Sequence, residues 1–385
     1  MTALTSRRQT VAATLVCCAA MGCAHAQETK TEKLKLSAGI AQSRDSNFQR
    51  VVDANAVSDQ INIQTLDVVV ALPYGQQRLD LEAKLANNKH QTLSQFDYTG
   101  QNYNVAWRWS VTPALVGTLS SKRTETLNSA ADSLEPSLRN TNVTKTDNLN
   151  GVYLLGGSWQ VIADYSKGVS TNERAVLGMT DVRYQSYTAG VGYTPNAGNS
   201  LNYARRIDTG TSISDYRYDG HTIVANYAPT THTNIKGRIA YIEQRYAMDP
   251  KFDFSGITGG LEGTWRVTPR TSIDASWLRD IASFQTVNST HARIDTLSIG
   301  PSWQARPTVA VNLTFRQSQR DSLGSLNGTA STRQDRMRET VGAIRWQPRT
   351  YVGVYGSFAK ASRTSSVVDQ DYTSQTATIG AQFTY

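Results

Sequence analysis

The sequence predicts an all-β protein: a transmembrane antiparallel β-barrel of about 18 strands, with about 16 as the alternative count, short periplasmic turns and long extracellular loops. Three observations carry that expectation. Turn signals recur about every 40 residues, the segments between them alternate apolar and polar residues, and an aromatic stripe ends the chain opposite a secretory leader.

The leader is read from residues 1–26. Arg7 and Arg8 form a basic start, Val11 to Gly22 an apolar stretch, and Ala24-His25-Ala26 a small-x-small cleavage site, with cleavage expected after Ala26. Lipoprotein processing at Cys23 is the alternative, but Ala20-Met21-Gly22 lacks the usual Leu and has Met where a small residue is wanted. All 3 Cys lie within the first 23 residues, which argues against zinc ribbons, thiol catalysis and structural disulfides in residues 27–385. No later window reaches the roughly 18 apolar residues of a membrane helix.

The repeat rests on proline. Seven of the 10 prolines fall at 73, 113, 195, 229, 269, 307 and 348, and Gly156-Gly157 splits the one double gap. Eight signals thus divide residues 33–385 into nine units of about 39 residues, nine hairpins in all. Between the signals the period is two, as a two-faced strand requires. Leu79, Leu81, Ala83 and Leu85 oppose Arg78, Asp80, Glu82 and Lys84; Val309, Val311, Leu313 and Phe315 oppose Ala310, Asn312, Thr314 and Arg316. The phase is ambiguous from Tyr351 to Ala359, and Pro301 interrupts a further strand pattern. The long connections are placed in the polar stretches Ser120 to Asp147 and Ser318 to Gln334. A β-propeller would need four strands in each unit, too many for strands of this length.

Lipid satisfies no backbone N–H or C=O, so a chain without apolar helices crosses it as a closed sheet. The 39% apolar fraction fits strands with one greasy face, and the aromatics fit the lipid–water boundary. Trp109, Tyr193, Tyr227, Trp265, Trp303 and Trp346 each precede a turn proline by two to four residues, and so form a periplasmic girdle. Thr378-x-Gly380-x-x-Phe383-x-Tyr385 resembles the C-terminal signal read by the barrel-assembly machinery, with Tyr for the commoner terminal Phe. Together these features place the chain in the outer membrane of a Gram-negative bacterium, among its lipids.

The other face should line an aqueous interior, since barrels of about 16–18 strands enclose a channel. Candidate lining residues are Arg78, Lys84, Arg108, Lys236, Arg238, Arg316 and Arg320, with Asp80, Glu82, Asp164, Glu262 and Asp274 among them. Such mixed charge either braces and hydrates the lumen or makes a slightly cationic conduit; the leader removes two arginines from the formal +8. No enzymatic activity is expected. His90, His221, His232 and His291 lie in no metal-ligand spacing, no GxSxG occurs, and neither a metal nor a cofactor is implied. Charge is dispersed, so no nucleic-acid partner is expected; Arg205-Arg206 is an isolated pair inside a strand. Strand-like sequence starts at Lys33, so no plug domain is expected before the barrel.

Ser43-Arg44-Asp45-Ser46-Asn47-Phe48-Gln49-Arg50, following the strand Leu34 to Ile40, resembles the EpsL-like outer-membrane proteins of exopolysaccharide operons. Asp45, Asn47 and Arg50 carry that resemblance; Phe48 and Gln49 stand where the family more often has Leu and Phe. The resemblance implies a porin-type barrel in exopolysaccharide biosynthesis or export, as conduit or assembly component, partnered by a polysaccharide and its export apparatus. A polar extracellular turn shaped by Asx hydrogen bonds is the structural alternative for the motif. Two other functions stay open: a general diffusion porin for small hydrophilic solutes, and a structural or adhesive surface barrel.

Overall fold

The computed structural model describes residues 34–385 except 134, 175–179, 287–288 and 326–331. The leader expected at residues 1–26 lies outside the described residues. Eighteen strands follow in chain order. They are β1 (Leu34–Asp45), β2 (Asp59–Tyr74), β3 (Gln77–His90), β4 (Tyr98–Thr112), β5 (Leu115–Leu127), β6 (Thr141–Gly156), β7 (Trp159–Asn172), β8 (Val182–Asn196) and β9 (Asn199–Thr211). Then come β10 (Asp215–Thr230), β11 (Thr233–Tyr246), β12 (Phe254–Thr268), β13 (Thr271–Thr286), β14 (Ser289–Arg306), β15 (Val309–Leu323), β16 (Gln334–Arg349), β17 (Val352–Ser365) and β18 (Tyr372–Thr384). Each pairs antiparallel with its chain neighbours, and β1 also pairs with β18, so the sheet closes and leaves no edge.

Residues 75–76, 113–114, 157–158, 197–198, 231–232, 269–270, 307–308 and 350–351 form the short turns. The expected prolines lie in them or just before them. In seven of the eight hairpins the ladder shifts register at that point, because proline or a glycine pair interrupts the hydrogen bonding. Gly156 and Gly157 have φ of 96° and 58°, which suits glycine and supplies the turn where proline is missing. Pro301 does not end β14: it lies opposite Ile273, and only the ladder to β15 skips it.

The connections at the other end are shorter than the sequence implied. β5 runs to Leu127 and β6 starts at Thr141, so much of Ser120 to Asp147 is strand; β15 likewise extends to Leu323. Beyond the bilayer both faces of these strands carry polar residues, so the apolar–polar alternation that marks a strand fades while the ladder continues.

Solvent exposure separates the two faces. The stripe Ile379, Ala381, Phe383, Tyr385 points outward, with Ile379 64% exposed before lipid is added, while Thr378 and Gly380 point inward. The girdle residues Tyr193, Tyr227, Trp265, Trp303 and Trp346 are likewise exposed on the outer face. In β17 the even-numbered residues face out, with Phe358 exposed and Tyr355 inside, which fixes the phase left open there. Arg205 faces out to Asp219, whereas Arg206 faces in to Asp208 and Ser186. No described helix is long and apolar enough to cross a membrane.

Candidate functional site: the barrel lumen and its mouth

The lumen is built from alternate residues of every strand. Near the periplasmic end β3 and β4 bring Arg78 and Arg108 directly opposite each other. Both reach Asp80, Arg78 Nε at 2.6 Å and Arg108 Nε at 3.1 Å, so one carboxylate holds two guanidiniums. Lys84 Nζ lies 3.6 Å from Asp67, and Arg316 Nη1 lies 3.0 Å from Glu339 on β16. The Arg108 side chain is 61% exposed, so its charge meets water inside the barrel. Lys236 faces inward opposite Glu262, with Arg238 two residues further along; neither cation forms an ion pair among the described residues. Asp164 accepts from Asn148 at 2.7 Å and Asp274 from Thr264 at 2.6 Å. Glu82 shares the inward face of β3.

Arg320 departs from the expected pattern. It faces inward but is buried at the extracellular end, 2.7 Å from Asp335, which also takes Arg333 and the Ser365 hydroxyl. It braces the rim and does not line open water. Conversely, Lys122, Arg266 and Arg345 face inward by register and are not among the residues singled out from sequence, while Arg206 of the isolated pair also faces inward. The period-two rule applied to their strands would have found them.

The extracellular end of the lumen is packed. Inward-facing Tyr216, Ala240, Ile242, Tyr246 and Phe254 form one apolar cluster. On the other side Phe48 meets His90 and Phe96, with ring centroids 4.8 and 5.1 Å apart, and buried Ile61 lies in register with His90. His90 Nδ1 lies 2.6 Å from Asp59. The described residues of loop 128–140 reach across this mouth. The carbonyl of Ala131 accepts from Arg363 Nη1 on β17 at 2.6 Å, and that of Pro136 from Gln49. Arg139 donates to the Asp97 carbonyl at 2.7 Å and pairs with Glu173. That pairing holds the Glu173 carboxyl below its usual range and raises Arg139.

Asp45, Asn47 and Arg50 close the loop between β1 and β2. The Asp45 carboxylate accepts from Arg50 Nη1 and Nη2, each at 2.8 Å, from the Asn47 amide at 2.9 Å and from the Thr376 hydroxyl at 2.8 Å. Asn47 Nδ2 donates to the carbonyls of Val51 and Thr373. The motif that carried the family resemblance therefore spends its polar atoms on its own loop and on β18. Among the described residues no group of three or more His, Cys, Asp or Glu could hold a metal.

A closed 18-stranded sheet, apolar outside and charged within, is the architecture of a porin-like barrel of the Gram-negative outer membrane. The solved structures similar to it belong to that class. OpdK of Pseudomonas aeruginosa, solved with vanillate, covers 91% of this chain and 99% of its own at 9% identity, TM-score 0.54. OccK2 (OpdF) of the same organism covers 91% and 97% at 11% identity, TM-score 0.55. A second OccK2 structure, in complex with glucuronate, has 10% identity, the same coverage and TM-score 0.53. At these identities the likeness is one of fold. No protein-family model matches the chain, and no curated protein does.

These comparisons correct the exopolysaccharide reading. The similar barrels include ones solved with vanillate or glucuronate, and none supports an EpsL-like protein. The physical reason is local: Asp45, Asn47 and Arg50 form a self-satisfied loop closure, which any barrel can use at its rim.

Proposed function

We propose that this barrel is a diffusion channel, without enzymatic activity, for small hydrophilic solutes, with small organic acids as the class favoured by its lumen. The observation that carries the reading is the inward set Arg78, Arg108, Lys236 and Arg238 near the periplasmic end. Two of these share a single carboxylate and two have no ion-pair partner among the described residues. Vanillate and glucuronate, found with the similar OpdK and OccK2 structures, are small carboxylates that such groups would attract. The packed mouth supports selection of small solutes over polymers, since loop 128–140 crosses the opening.

The experiment is solute flux into liposomes containing the purified barrel. Swelling should be faster with glucuronate than with a neutral sugar of equal size, and a dextran polymer should be excluded. Equal rates for the acid and the sugar would remove the acid preference, and no swelling with any small solute would remove the channel.

A further inference from the structure

The outward face of β7–β11 changes character along the strands. Near the turns it is apolar, through Trp159, Val161, Val191, Leu201 and Tyr227, up to Tyr165, Tyr187 and Ile207. Within it the Arg205–Asp219 pair and the adjacent His221 satisfy one another locally. Above it lies a single cross-strand row in direct register: Lys167, Gln185, Thr209, Arg217 and Arg245. The next row adds Arg183. Together they line a groove of about 900 Å³. Each strand contributes the two outward residues flanking an inward one, such as buried Tyr216 or Tyr246, which places the groove on the outside of the barrel.

Cations outnumber carboxylates in this groove, with Asp219 and Glu243 in the row directly below Arg217 and Arg245. Arg245 pairs with Glu243, but Lys167, Arg183 and Arg217 form no ion pair among the described residues. The carboxylate inside the groove, Asp215, accepts from Thr211. Directly below, Tyr165 and Tyr187 meet with centroids 5.2 Å apart. A cationic concavity over an aromatic floor, at the level where the apolar face ends, matches an amphiphile with a phosphate at its head. A free phosphate would have no use for that floor.

We propose that the groove binds the phosphate-bearing headgroup of an anionic lipid of the outer leaflet, with its acyl chains against Tyr165, Tyr187 and Ile207. Lys167, Arg183 and Arg217 hold the phosphate, and Gln185 and Thr209 donate hydrogen bonds from the row between them. The assignment does not depend on which solute passes through the lumen.

The test uses the purified full barrel in nanodiscs, with native mass spectrometry counting bound lipid. Two probes are compared: bis-phosphorylated lipid A and the same lipid dephosphorylated. The wild type should retain the phosphorylated form preferentially. The triple variant Lys167→Gln/Arg183→Gln/Arg217→Gln should lose affinity for it on the order of a hundredfold, as expected for three cations near an anionic headgroup. A charge-matched control, Arg336→Gln/Arg338→Gln/Lys360→Gln, removes three exposed outward cations on β16 and β17 and should keep wild-type retention. Equal loss in both variants would mean diffuse attraction to any collar charge and would overturn the groove. So would equal retention of both lipids by the wild type, or binding of inorganic phosphate without lipid retention. Heat-modifiable gel migration reports folding; if the triple variant does not fold, the two-lipid comparison on the wild type decides.

Discussion

Arg363 on β17 donates its Nη1 to the carbonyl of Ala131 at 2.6 Å, joining residues 232 positions apart and holding loop 128–140 across the barrel mouth. Arg363 is 4% exposed, and its guanidinium lies 4.9 Å over the Tyr372 ring and also donates to the Gln370 carbonyl. Hydrogen bonds of this charged kind are worth about 1.5–3 kcal/mol each when one partner is removed. Arg363→Ala should therefore free the loop while leaving the barrel ladder intact. Single-channel conductance should rise and become noisier, and protease should cut within 128–140. Unchanged conductance with an uncut loop would show that the remaining anchors, Gln49 and Arg139, suffice.

The Arg139–Glu173 clamp makes the mouth acid-sensitive. Glu173 is held below its ordinary value of about 4.3 by the Arg139 hydrogen bonds and charge. A depressed carboxyl contributes stability that is fully present above the ordinary value and is lost as pH falls through the lower folded one. Loop 128–140 should stay clamped at neutral and mildly acid pH and loosen only below the ordinary glutamate range. Hydrogen exchange at the Thr141 amide, which donates to Glu173, reads this directly. In Glu173→Gln the acid step should vanish.

Asp45 should behave as a rim brace. Its side chain and that of Arg50 are 6% and 11% exposed, and Arg50 sits at φ 54°, a left-handed conformation its bonds to Asp45 and Asn47 must sustain. Removing one member of such a pair leaves an uncompensated charge, at about 3–5 kcal/mol for buried cases. Asp45→Asn should lower the melting temperature of the barrel in detergent, with disorder confined to the β1–β2 loop. Solute flux should be altered far less than by Arg363→Ala. An unchanged melting temperature would show that the loop closes without the pair.

Several of these residues were visible in the sequence, and the reason is the pleat. Wherever one face meets lipid and the other water, side chains alternate strictly, so Arg78 and Leu79 assign themselves to opposite faces. Prolines mark turns because they cannot donate to the ladder. What failed was legibility above the bilayer. There both faces are polar, so β5 and β15 run on through stretches that look like loop, and Arg320 looks no different from Arg316. They are four positions apart, yet one faces water and the other lies beside Asp335, which it shares with Arg333 and Ser365. The crossing of loop 128–140 was equally hidden, since a contact between Ala131 and Arg363 leaves no local pattern.

Gly380, on the inward face of β18, tests how closely β17 packs against the C-terminal strand. A Cβ there would lie 2.5 Å from the Tyr355 ring and 2.9 Å from the Cβ of Ala41, so glycine lets the ring lie flat across β18. Overpacking of this kind costs about 1–3 kcal/mol. Gly380→Val should reduce the folded barrel recovered from membranes, and Tyr355→Ala should restore part of it. If Tyr355→Ala restores nothing, the Tyr355 ring is not what Gly380 accommodates.

Ion selectivity separates lining charges from bracing ones. Arg108 and Arg316 are each paired, with Asp80 and Glu339, yet remain 61% and 43% exposed. Arg108→Glu/Arg316→Glu changes the lumen by four negative charges and leaves Glu339 facing a like charge across the ladder. Counter-ion enrichment beside charge in a low-dielectric cleft reaches roughly tenfold or more, so potassium should gain severalfold over chloride. The reversal potential across a bilayer in a salt gradient reads that shift. It should shrink at about 1 M salt, where the Debye length falls to about 3 Å. Arg320→Gln, by contrast, removes a cation that lies sealed beside Asp335 and should lower thermal stability with little movement of the reversal potential. A selectivity shift from Arg320→Gln as large as that from the double reversal would mean that the mouth, and not the periplasmic half of the lumen, sets which ions pass.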